Sequence, residues 1–208
     1  MPAELPPAGP GEPDLADGEV YEMLAFADLD WSERDVTGAE IEECTFGNVN
    51  LSGSRLRRGR IRDVRFERCD LANLRALDSS FVRVAIAASR MTGLSWLDDH
   101  LREVTFDGCG IDLSSFRATT FDNVVFAGCR MQQADFGDAD LRGARFEGCD
   151  LSGAQLSGAK MTGTRFARCD LAGIAGVTSM RGAVITSTDA VALALTLAGA
   201  LGITIEDE

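Results

Sequence analysis

Bulky apolar residues recur every five positions along most of this chain. All fourteen aromatic residues keep the rhythm: Tyr21, Phe26, Trp31, Phe46, Phe66, Phe81, Trp96, Phe106, Phe116, Phe121, Phe126, Phe136, Phe146 and Phe166. An α-helix repeats every ~3.6 residues and a strand every ~2, so neither element produces this spacing. A fixed self-similar period instead predicts a repeat architecture that grows by stacking. From Ile41 to Leu171, twenty-seven successive centres hold register, and only Ala76 among them is not bulky. Two residues before each centre lies a second inward slot. It holds Ala, Cys, Ser, Thr, Val or Gly in twenty-four cases, with Leu74, Leu94 and Asp99 as the exceptions.

A large and a small inward residue in every five suit a narrow tube. The large one fills the middle, and the small one lets the backbone turn beside it. The second residue after each centre is often Gly or Asn, as at Gly53, Gly108, Asn48 and Asn123. That is where a tight turn requires a positive φ.

A twenty-residue period lies over the short one. Cys69, Cys109, Cys129, Cys149 and Cys169 recur at multiples of it, with Ser89 in the gap. Phe46, Phe66, Phe106, Phe126, Phe146 and Phe166 do the same, with Ile86 as substitute. Four pentapeptides therefore make one square coil, and like residues stack into core ladders. Some seven coils at the usual inter-strand spacing predict a rod of roughly 35 Å.

The segments Ala134-Asp135-Phe136, Ala139-Asp140-Leu141 and Cys149-Asp150-Leu151 match an A-(D/N)-L-x-x consensus. On these residues the chain resembles the pentapeptide repeat proteins over about residues 38–175. The resemblance implies an all-β solenoid, a right-handed quadrilateral β-helix. It also implies a possible mode of action. Some members are acidic rods that dock on DNA gyrase or topoisomerase IV in place of DNA, inhibiting the enzyme or shielding it from quinolones.

Outside the regular coils, four features stand apart. Residues 1–20, rich in Pro, Gly and acids, are expected to be a disordered tail. Residues 21–40 keep the centres in phase but place Leu24, Leu29 and Arg34 in the small slots, and so read as an atypical N-terminal cap to the 41–180 solenoid. Residues 181–208 read as a helix of about twelve residues capped by Thr188 or Ser187, followed by a short strand at Ile203-Thr204-Ile205. Its apolar residues Val191, Leu193, Leu195, Leu197 and Leu201 suit a plug for the open coil, a dimer interface, or both at once, one face plugging while the other pairs; the dimer is what resemblance to quinolone-resistance members implies. The fourth feature is Asp99, since a lone carboxylate in an inward slot is costly. An outward bulge is expected at Trp96–His100, either a surface irregularity or a functional loop.

Composition narrows the chemistry. No CxxC pair occurs and all six cysteines fall in inward slots, so they read as compact core residues. The single histidine, His100, and the absence of nucleotide-binding or nucleophile motifs leave no enzymatic activity, metal or cofactor expected. No stretch reads as a signal peptide or membrane span, which predicts a cytoplasmic protein.

The net charge of −13 is uneven. Residues 1–50 hold thirteen acids and one base, residues 51–180 sixteen acids and eighteen bases, and the remainder four acids and one base. Seven arginines crowd residues 55–68. Nine acids mark a candidate partner-binding belt: Asp98, Asp99, Glu103, Asp107, Asp112, Asp122, Asp135, Asp138 and Asp140. A row of carboxylates suits a groove built for phosphates. Yet the stacking columns mix signs, as in Glu42, Arg62, Val82, Arg102, Asp122 and Arg142. A general protein-interaction scaffold is therefore the alternative. Direct nucleic-acid binding is not expected, for want of exposed aromatics to stack bases.

Overall fold

A computed structural model describes residues 5–6 and 14–204. It is a parallel β-solenoid of about eight turns with a short C-terminal helix. Three-residue strands pair in register with those twenty residues away, as in Phe106↔Phe126 and Phe126↔Phe146. Each coil has four sides. Face I is a six-stranded sheet, face II a nine-stranded sheet and face IV a four-stranded sheet. Face III is held by isolated bridges running Asp30↔Asn50↔Asp70↔Arg90 and onward.

The core follows the five-residue rhythm. Phe106, Phe126, Phe146 and Phe166 stack with ring centroids 4.5–4.9 Å apart. Phe116 and Phe136, from the opposite side, meet this column edge-on, as at 5.9 Å and 85° between Phe136 and Phe146. Phe26, Phe46 and Phe66 form a second stack, and Ile86 separates the two. All six cysteines are free and buried. Their thiols contact the carbonyl twenty-three residues earlier, as from Cys69 to Phe46 (3.4 Å) and from Cys169 to Phe146 (3.3 Å). Burial raises the Cys44 and Cys69 thiols above their ordinary values.

Every turn position two residues after a centre is left-handed, including twenty residues that are not Gly. Leu113 and Ala88 hold φ of 59° and 47° there. The stacked ladders on both sides impose that geometry, which such residues resist by about 1 kcal/mol each.

The ends differ from expectation. Residues 21–40 are a full coil in register, with Tyr21↔Ile41 and Phe26↔Phe46 paired, and Leu24 and Leu29 pack partly buried against the core. Arg34 escapes its slot by reaching out to Asp14 (2.8 Å). The N-terminal opening is instead covered by part of the segment expected to be disordered. Leu15 packs against the core, the Tyr21 hydroxyl donates to the Asp14 carbonyl (2.7 Å), and Thr37 N–H donates to Asp17 (2.7 Å). Residues 1–4 and 7–13 of that segment lie outside the described residues.

At the other end the rhythm fails at residue 176, where Gly stands at a centre position. There the chain makes a 3₁₀ turn at Val177–Met180. A two-residue strand, Val184–Ile185, then pairs with Arg165–Phe166. The short strand thus precedes the helix; Ile203 and Thr204 are not in a strand, and Ile205 lies outside the described residues. Helix α1 spans Ser187–Ala200, and its N-cap is Thr186 rather than Thr188 or Ser187.

Candidate functional site

The acidic belt does not form one stripe. The twenty-residue coil sends its members around the rod: Asp98, Asp135 and Asp138 to face IV, Glu103, Asp122 and Asp140 to face I, Asp107 to face II and Asp112 to face III. Arginines meet most of them. Arg130 bonds Asp112 (2.5 Å), Arg142 bonds Asp140 (2.6 Å), and Arg117 bridges Asp135 (3.2 Å) and Asp138 (3.0 Å). Arg102 lies 3.5 Å from Glu103 and 3.8 Å from Asp122. The Arg142 guanidinium holds the Asp140 carboxyl below the usual range. Among the described residues, only Asp98 and Asp107 remain exposed members of the belt without an ion pair.

The ninth member, Asp99, is inside. The expected bulge is absent: Ser95–Leu97 and His100–Arg102 both pair in register with the coils above, and Asp99 keeps its slot at 1% exposure. One carboxyl oxygen accepts the Ser79 N–H (2.7 Å), and the other has no partner. Burial pushes the carboxyl up to about 7, opposed by the Ser79 hydrogen bond and reinforced by the charges of Asp78 and Asp98. A bulge would have broken pairing on two adjoining faces, whereas a carboxyl that carries its proton loses only part of one group's solvation. Polar slot residues elsewhere behave alike. Ser54, Ser79, Ser89 and Asp189 accept the N–H of Arg34, Gly59, Cys69 and Cys169, each one coil back. The slot pattern in the sequence carries this signal, and a hydrogen-bond acceptor there belongs to the wall.

Helix α1 meets the C-terminal end through buried Asp189, through Leu193, which is buried beside Val177, Met180 and Ile185, and through the Thr196 hydroxyl, which accepts the Gly173 N–H (3.2 Å). Val191, Leu195, Leu197 and Leu201 are exposed. The arginine-rich coil sits on faces IV, I and II. Its partners are Asp35 for Arg55 and Arg57, Glu40 for Arg60, Glu42 for Arg62 and Glu67 for Arg68. Arg58 and Arg65 have no ion pair among the described residues. No described group of His, Cys, Asp and Glu is gathered so as to hold a metal ion, and no described helix is long and apolar enough to cross a membrane.

No curated protein matches the chain in sequence. Among solved structures it is similar to HetL, a pentapeptide repeat protein involved in heterocyst differentiation regulation from the cyanobacterium Nostoc sp. strain PCC 7120. Identity is 14%, covering 81% of this chain and 85% of that one, with a TM-score of 0.45. It is also similar to full-length QnrB1, a plasmid-mediated fluoroquinolone resistance protein, at 17% identity, 86% and 99% coverage and a TM-score of 0.44. The family described as pentapeptide repeat region matches residues 39–116 and 99–175, which together take in the stacked coils described above. The chain belongs to the pentapeptide repeat family.

Proposed function

We propose that this chain is a non-catalytic protein-binding rod. The supporting observation is the distribution of charge: residues 51–180 hold sixteen acids against eighteen bases, arginines pair with carboxylates of neighbouring coils, and separate charged patches remain on a rigid core. Such a surface suits recognition by patch, because the rigid walls hold the backbone in place and leave only side chains to be ordered on binding.

DNA gyrase or topoisomerase IV is the concrete candidate partner. The acids that favour it are those of the first two coils, not the 98–140 belt. Glu19, Glu22, Asp28, Glu33 and Glu43 are exposed and have no ion pair among the described residues. A supercoiling assay with and without a quinolone, at two salt concentrations, tests this. Salt-sensitive inhibition or relief of poisoning, lost on Glu22→Lys/Glu43→Lys, supports the gyrase reading. No effect at micromolar protein places the partner elsewhere.

The exposed apolar residues of α1 support self-association. Val191 on the helix and Leu201 at its C-cap are 75% and 76% exposed, apolar side chains that a partner surface would cover. The proposed occupant is the same helix of a second copy. Light scattering should give a dimer that Val191→Glu/Leu195→Glu converts to a monomer; an unaltered mass sinks the proposal.

A further inference from the structure

We propose that face IV carries a second binding site, a groove for a short acidic peptide segment with one aliphatic or aromatic side chain. The groove has a volume of about 370 Å³ and crosses three coils. On one side the register stacks Arg55 on Arg75 and then Ser95; on the other it stacks Arg57 on Leu77 and then Leu97. Arg55 and Arg57 share the single carboxylate of Asp35, at 3.9 and 3.3 Å, and Arg75 has no ion pair among the described residues. Among the described residues, Asp35 is thus the one carboxylate ion-paired to these three guanidinium groups, in a chain of net charge −13. Arg55 and Arg75 are direct register neighbours, an unfavourable pairing of like charges that a bound carboxylate would relieve.

The floor between the arginines is apolar and underfilled. Ala76, the one small centre, lies under this groove. Leu56 above it is the only half-buried centre in its part of the core, and Leu77 is 42% exposed. Behind the wall lies an axial cavity of about 50 Å³ lined by Leu56 and Trp96, and it shares Arg55 and Leu56 with the groove. Leu56 therefore has space to move inward and deepen the floor under an inserted side chain. Carboxylates flanking an apolar anchor match this arrangement in both charge and polarity.

A nucleic acid fits less well. The floor offers leucines in place of aromatic rings for stacking bases. Asp78 and Asp98 border the patch, and a long polyanion would meet them and the acidic first coil, whereas a short peptide spans only the arginines. This site is independent of whichever partner the acidic coils engage.

The test is to pan a library of random short peptides against the intact protein. Arg57→Ala/Arg75→Ala serves as the counter-target, and its melting curve shows that it folds. The expected result is enrichment of Asp and Glu around Leu, Ile, Val or Phe. A synthetic copy of a recovered peptide should bind roughly ten-fold or more weakly to the double variant, and to Leu77→Asp. Recovery of non-acidic peptides, equal binding by the folded double variant, no enrichment at all, or displacement of the peptide by a single-stranded oligonucleotide that depends on the same arginines would each overturn the proposal.

Discussion

Asp99 lies in a column that otherwise holds Ala39, Gly59, Ser79, Thr119, Ala139 and Ala159. The five-residue pattern marks it as exceptional, but pattern alone misreads the outcome, because it weighs the charged carboxylate and not its protonated form. Folding raises this carboxyl from its ordinary 3.8 to about 7. The sign follows directly. The folded state binds the proton more tightly than the unfolded chain, so the stability it contributes is fully present below about pH 4 and is lost as pH rises through about 7. At one pH unit per ~1.4 kcal/mol, the difference amounts to roughly 4 kcal/mol at most. Asp99→Asn keeps an acceptor for the Ser79 N–H and cannot ionise. Urea midpoints measured at pH 4, 6 and 8 should show the variant gaining over the parent as pH rises; parallel pH profiles would count against a buried titrating carboxyl. The turn positions tell a related story. Gly and Asn there reveal the left-handed corner, while Leu113 and Ala88 adopt it with no local preference for it, under compulsion from the stacked strands.

At the scale of elements, regular coils are legible because each strand is specified by its own centre and slot. The ends are not, because their partners are single contacts with no period. Asp189 shows the difference. As a first-turn acid it suits a helix start in any protein. Here it also stands twenty residues after Cys169, so it completes that slot column: one carboxyl oxygen accepts the Cys169 N–H (3.1 Å) and the other the Thr186 hydroxyl (2.8 Å). The same residue therefore closes the last coil and fixes the entry to α1, which explains why the helix begins earlier than its apolar run indicates. Asp189→Ala leaves a buried N–H without a partner, at a cost of about 1–3 kcal/mol. The loss should be local. Hydrogen exchange is expected to quicken across 187–200 and the 165–170 segment, with the coils around residues 60–120 unchanged; uniform quickening would mean that the end and the middle unfold as one unit.

For the whole molecule, column arithmetic anticipates pairs twenty residues apart, such as Arg62–Glu42, Arg83–Asp63 and Arg90–Asp70. It misses the diagonal ones at eighteen and twenty-two, Arg130–Asp112 and Arg57–Asp35, because long guanidinium side chains reach across to a neighbouring column. That diagonal reach adds to the turn of the coil, which has already spread the acidic belt of the linear sequence over four faces. Two clocks run in this chain: the interior is satisfied every five residues, but the aromatic stacks, the thiol ladder and the ion pairs repeat only every twenty. Removing residues 121–140 would excise one storey and leave every column above and below intact. Removing 121–125 would keep each inward position filled, yet turn the entire lower rod by a quarter, setting Phe106 over Met131 and Cys109 over Ala134. The larger excision should leave the higher melting midpoint of the two, although it discards four times as much chain. Insertions and deletions in this protein are therefore permitted in whole storeys, and any change in its length by a smaller step rewrites what each wall presents to the outside.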